Sequence, residues 1–199
     1  MRILSSTFVL VALLTSTVAA ADLRQEVKQG PVLRAIRTAE PEYKKAAELI
    51  HGTDIILVGE VLDNRALLSR DGNAVLTEYT IEVSRILVGD PAGVAPGQRI
   101  RARVAGGHLL VDGVAVEFDA LDFPTIPWLV PHVFFLEHDA GDGYRIRGGS
   151  QGVWELLANG RVRSHHPDVK HVKVPLHFNQ RTLEFMLDEV NDTLKKGRR

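Results

Sequence analysis

The sequence predicts a mainly β protein: a small barrel or sandwich of short antiparallel strands, with one helix before it and one C-terminal helix. Three observations carry this. LTEYTIEVS and RIRARV alternate apolar and polar residues with a period of two. Asp112-Gly113 and Asn159-Gly160 each sit between apolar runs, the strongest short hairpin signal there is. In RTLEFMLDEVNDTLKKGRR the period lengthens to that of a helix, and Leu183, Met186, Leu187, Val190 and Leu194 form one stripe.

Taken in order, residues 1–21 read as a signal peptide. Arg2 supplies the positive start, an apolar run extends from Phe8 to Leu14, and small residues lead through Val18-Ala19-Ala20-Ala21, with cleavage after Ala20 or Ala21. That run is too short for a membrane span, and no later stretch reaches the roughly 18 apolar residues one needs. The expected address is therefore exported, periplasmic or extracellular. The chain has no cysteine, which excludes a lipid anchor at the cleavage point and any disulfide framework. A formal net charge of −1 provides no global attraction to nucleic acid or membrane.

Residues 22–40 are polar and mixed around Gly30-Pro31 and read as a loosely held N-terminal arm. A single domain is expected over 41–199. PEYKKAAELIHG predicts a short helix, with Pro41 at its first position and Gly52 at its end. DIILVGEVL is a β-rich run with no polar alternate, as a strand covered on both faces requires. RDGN is turn chemistry. In the next strand Tyr79, Ile81 and Val83 share a face, and the phase breaks at Arg85-Ile86, which predicts a bulge. RIRARV places Arg99, Arg101 and Arg103 together and Ile100, Ala102 and Val104 opposite. FPTIPWLVP is an apolar crossover whose prolines disfavour a central strand. HVFFLEH, YRIRG, VWELLA and RVRS complete the strands, and the last helix spans about 181–196.

Asp54 to Leu62, Ile81 to Gly89, Arg101 to Gly107 and Val133 to Trp154 share a cadence of short apolar motifs, ending in GDGYRIRGGSQGVWEL. In these stretches the chain resembles uncharacterised exported bacterial proteins with an OB-like, netrin-like core, the barrel also found in tissue inhibitors of metalloproteinases. The resemblance implies that barrel and an exported protein. Animal members of the group are held by disulfides, and their inhibitory activity needs a cysteine at the mature N-terminus. A chain without cysteine departs from both, so the resemblance implies no chemistry here.

Three groups of residues could carry function. Gly148-Gly149-Ser150-Gln151-Gly152 fits G-x-S-x-G, the nucleophile elbow, with Asp168 and His165, His166, His171 or His177 as conceivable partners. An elbow needs a helix directly after the serine, whereas VWELLANGRVRS reads as a strand and hairpin. The expectation is a glycine-permitted kink, with Ser150 catalytic only in the alternative of a small esterase-like hydrolase. His165, His166, His171 and His177 form a histidine tract around Asp168 whose spacing matches no metal motif. They read as loop histidines, with a metal-binding periplasmic protein as the alternative. Arg99, Arg101, Arg103, Arg145, Arg147, Arg161 and Arg163 repeat an Arg-x-Arg alternation that puts each group on one strand face. They form either a solvated face paired with Glu78, Glu82 and Glu155, or a basic stripe able to hold a carboxylate, phosphate or acidic polysaccharide. Glu117, Asp119, Asp122, Asp139 and Asp142 read as turns and strand ends, and Trp128 and Trp154 as core or crossover braces.

The function expected is a non-enzymatic binding or accessory module with no cofactor. Its partner would be a protein or anionic ligand in the cell envelope, with nucleic acid and a membrane span excluded.

Overall fold

The computed structural model describes residues 22–36, 43–89, 93–120, 123, 125–139, 143–165 and 177–197. The fold is mainly β. Its ten strands are β1 (Val32–Ile36), β2 (Ile55–Leu68), β3 (Val75–Val88), β4 (Arg99–Ala105), β5 (Gly107–Val111), β6 (Val114–Ala120), β7 (Pro131–His138), β8 (Tyr144–Ile146), β9 (Val153–Leu156) and β10 (Val162–Ser164). Among the described residues, three helices are described in full: α1 (Leu23–Glu26), α2 (Ala46–His51) and α3 (Leu183–Gly197). No helix among the described residues is long and apolar enough to cross a membrane.

Two sheets result, β1-β6-β5 and β10-β9-β7-β2-β3-β4-β8. In the larger one β7 also pairs with β8, so β2, β3, β4, β8 and β7 close into a ring. Four of its pairings are antiparallel, while β4 and β8 run parallel. Three register shifts between β2 and β3 supply the bending that closure needs. Two of them, at Ser84 and Leu87, bracket the predicted break at Arg85-Ile86.

The apolar run of β2 is buried on both sides because it separates two cores. Ile55, Leu57, Tyr79, Ile81, Phe134 and Leu136 fill the inside of the ring. Ile56, Val58, Val133, Phe135 and Trp154 face outward onto α2 and α3, meeting Leu49, Ile50, Met186 and Val190. Phe135 and Trp154 are fully buried, and each such side chain contributes about 2–3 kcal/mol. The C-terminal helix thus forms where its stripe predicts, with Leu187 and Leu194 at the edge of the contact.

Two expectations need correction. Residues 22–36 are not a loose arm: β1 pairs in parallel with β6, and Leu23 and Val27 are buried against Val75, Val116 and Phe118. The second helix begins at Ala46, with Lys45 in an extended conformation before it, rather than at Pro41, which lies outside the described residues. The tryptophans take the two places expected of them: Trp154 is 0% exposed in the core, and Trp128, 55% exposed, bridges Val61 from the crossover. Residues 1–21, expected to be a signal peptide, lie outside the described residues.

Candidate functional site

The arginines divide between two places. β4 and β8 are neighbours, with Arg103 opposite Arg145, but Arg161 and Arg163 lie by β10 at the other end of the seven-stranded order. The seven residues therefore do not form one stripe. The acidic partners expected for a paired face are found: Arg103 with Glu78, Arg99 with Glu82 and Arg163 with Glu155. On the outside of the ring Arg65, Glu78, Arg103, Arg145 and Glu137 follow one another in register across five strands. Glu78 is 2% exposed and takes Arg65 on Oε1 and Arg103 on Oε2, each at 2.7 Å. Burial pushes its carboxyl up, but the hydrogen bonds and charges of both guanidiniums outweigh this and hold it below its ordinary value. Arg145 and Arg147 share Glu137. Arg147 also donates to the Leu49 carbonyl at 3.0 Å and lies over the Tyr43 ring, which makes it a brace for the end of α2. Arg161 donates to the Gln180 carbonyl at 2.5 Å.

Ser150 sits in a single 3-10 turn, Gly149–Gly152, preceded by Gly148 at φ 69° and followed by β9. Its side chain is 3% exposed. No hydrogen bond joins it to an imidazole among the described residues. The neighbouring Gln151 has the defined structural role: its Oε1 accepts from the Tyr43 N–H at 2.8 Å, and its Nε2 donates to the Tyr43 carbonyl at 3.2 Å.

Two members of the histidine tract, His166 and His171, lie outside the described residues, as does Asp168. His177 is 44% exposed and faces Glu189 at 3.5 Å on the last helix. His165 is not an exposed loop residue. It is 17% exposed and its Nε2 stands 3.0 Å from Nε2 of His132, a fully buried side chain on β7. Burial pushes His132 down to about 4 and lowers His165 as well, so both rings are neutral at neutral pH. Among the described residues, no three His, Asp or Glu side chains are arranged as they stand to hold a metal ion.

Among the clefts of a size to take a small ligand, two are lined by residues of the arginine strands or their neighbours. One, of about 380 Å³, opens between the ring and the small sheet and is lined by Arg65, Thr77, Tyr79, His108, Phe118 and Asp119, among others. Its arginine is engaged by Glu78, and Asp119 supplies a negative wall. The other, of about 320 Å³, lies where β4 and β8 diverge and is lined by Arg99, Ile100, Arg101, His138, Gly143 and Tyr144. Among the described residues none that lines this second cleft is acidic. Asp54 stands behind it, accepting from the His138 N–H at 2.7 Å, and the Tyr144 and His138 rings meet at a tilt of 44° with their centres 4.8 Å apart.

Neither a protein-family model nor a curated protein matches the chain.

Of the residues that line or support these places, Arg65, His132, His138 and Gln151 were missed in the sequence. His132 and His138 begin and end HVFFLEH, where the strand pattern accounts for every position. Gln151 lies inside the serine motif, which draws attention to its neighbour.

Proposed function

We propose that this chain is an exported, non-enzymatic binding module of OB type that takes an anionic group in the cleft between β4 and β8. The observation that carries this reading is the lining of that cleft: Arg99 and Arg101 stand beside His138, and among the described residues no carboxylate lines it. Strand spacing of two sets both guanidiniums on one face, and a phosphate, sulfate or carboxylate can accept from each. The ion pair already present at Arg99 is exposed and loose, 3.8 Å to Glu82, and yields readily to a stronger acceptor.

The OB-type reading is supported by the order of the ring, β2-β3-β4-β8-β7, whose one parallel pairing joins β4 and β8, the third and fifth of its strands in chain order. The non-catalytic reading is supported by the burial of Ser150 and by the strand that follows it. Export rests on the pattern of residues 2–21 and is tested by N-terminal sequencing of the secreted chain.

Heparin chromatography, with elution by inorganic phosphate, tests the ligand class. Replacing Arg99 and Arg101 together by Ala should weaken retention about tenfold, the loss of roughly one charge-assisted contact. Replacing Arg161 and Arg163 should leave retention intact. Equal retention of wild type and the Arg99/Arg101 variant would overturn the proposal.

A further inference from the structure

His132 is the second residue of β7, and its ring is set by a short contact, 2.6 Å from Nδ1 to the Val130 carbonyl oxygen. A carbonyl only accepts, so Nδ1 carries the proton and Nε2 of the neutral ring is a bare lone pair. That lone pair accepts from the Nε2–H of His165, the residue just past β10, at 3.0 Å, and an ion bound between the two rings would shift this proton to His165 Nδ1. Glu155 is the register partner of His132 on β9, and its Oε2 is 3.8 Å from His165 Nε2. Three elements, β7, β9 and the end of β10, thus bring two imidazoles and a carboxylate to one place.

We propose that His132 and His165 form a seat for a divalent transition-metal ion, with Glu155 as its third ligand. Histidines that bind metal hold their other ring nitrogen on a carbonyl or carboxylate, the setting that Val130 gives His132. Two imidazole nitrogens bound to tetrahedral zinc at 2.0–2.1 Å are about 3.3 Å apart. The observed 3.0 Å therefore has to open by a few tenths of an ångström. His165 can supply this because it lies beyond the last ladder residue, Ser164. The third ligand is not yet in place, because Arg163 holds Glu155. Arg163 is 53% exposed, so it can swing into solvent as an ion takes over the charge of the carboxylate. Two imidazoles and one carboxylate suit Zn²⁺, Ni²⁺ or Cu²⁺ and not Ca²⁺ or Mg²⁺, which require mostly oxygen. The seat is distinct from the anion cleft and does not depend on it.

The test is titration of the purified, EDTA-treated full chain with ZnCl₂ and CoCl₂. Zn²⁺ should raise Tm with saturation at one equivalent, and Co²⁺ should give visible absorption of a low-coordinate site. His165→Ala should abolish both, and Glu155→Gln should weaken binding about tenfold. His132 is fully buried and its variants can fail to fold, so its part is read in the wild-type chain: Zn²⁺ should shift the His132 Nε2 resonance in a histidine-labelled NMR spectrum. His166→Ala, His171→Ala and His177→Ala should keep the response. Absence of any Zn²⁺ response overturns the proposal. So does a response that survives in His165→Ala, or one lost only through the 166–177 substitutions.

Discussion

Arg103 on β4 and Glu78 on β3 stand opposite one another in register, and the guanidinium reaches Glu78 Oε2 at 2.7 Å while Arg65 holds Oε1 from the other side. A carboxylate at 2% exposure is stable only because both oxygens are taken by cations. Glu78→Gln removes the charge and leaves two guanidiniums facing one neutral amide. The expected loss is about 2–4 kcal/mol at pH 7, read by urea denaturation.

The same pair sets a pH dependence. The folded-state pKa of Glu78 lies below the unfolded value, for which 4.5 is the reference. Its contribution is therefore complete above that value and is lost as pH falls through the lower, folded one. Stability of the wild type should drop on the acid side of pH 4.5, and Glu78→Gln should flatten that limb. Urea midpoints measured at pH 7, 4 and 3 for both proteins check the sign.

Gln151 clamps the chain at Tyr43 with one acceptor and one donor, a side-chain substitute for a pair of strand hydrogen bonds. Its own carbonyl receives the Trp154 indole N–H at 2.8 Å, so the turn also anchors the core tryptophan. Gln151→Glu keeps the acceptor but cannot donate to the Tyr43 carbonyl when ionised. It should cost more than Gln151→Ala, which should itself cost about 1–3 kcal/mol. Thermal unfolding of the two variants at pH 7 decides the order.

β4 and β5 were legible because burial alternates along them, β2 and β7 because unbroken apolar runs fit strands covered on both faces, and the first hairpin turn because Asp112 and Gly113 both take positive φ, 50° and 81°. The arginine alternation revealed which face each group shares and even its acidic partners. It could not reveal that β10 lies far from β4 along the sheet, because strand order is a property of the closed ring and not of any one strand. The parallel pairing of β4 with β8 left no local mark for the same reason. Leu23 and Val27 read as isolated apolar residues in a polar arm, since their burial depends on β1 finding β6. The meeting of His132 with His165 was equally hidden: one looked like a strand position and the other like a loop.

The serine motif is a backbone device, and substitutions should reveal it. A Cβ on Gly152 would run into the Arg147 carbonyl, an atom fixed by its place in the main chain. Gly152→Ala should therefore cost about 2–4 kcal/mol, whereas Ser150→Ala should stay within about 1 kcal/mol. A fluorophosphonate probe should leave Ser150 unlabelled. Labelling that Ser150→Ala abolishes would instead make the turn catalytic.

Arg147 and Arg99 belong to the same sequence pattern but should separate cleanly by their effects. Arg147 is 17% exposed, joins Glu137 to the Leu49 carbonyl and covers Tyr43, so truncation strips the end of α2 of a donor and a stacking partner. Arg147→Ala should cost about 2–3 kcal/mol, or roughly 4–10 °C in Tm for a chain of this size. Arg99 is 68% exposed with one loose partner, and Arg99→Ala should move Tm by no more than about 2 °C. Retention on heparin should respond in the opposite sense, falling for Arg99→Ala and holding for the folded fraction of Arg147→Ala. A basic surface that acted as one stripe would lose retention in both variants, so differential scanning fluorimetry and chromatography on the same two proteins distinguish a brace from a ligand contact.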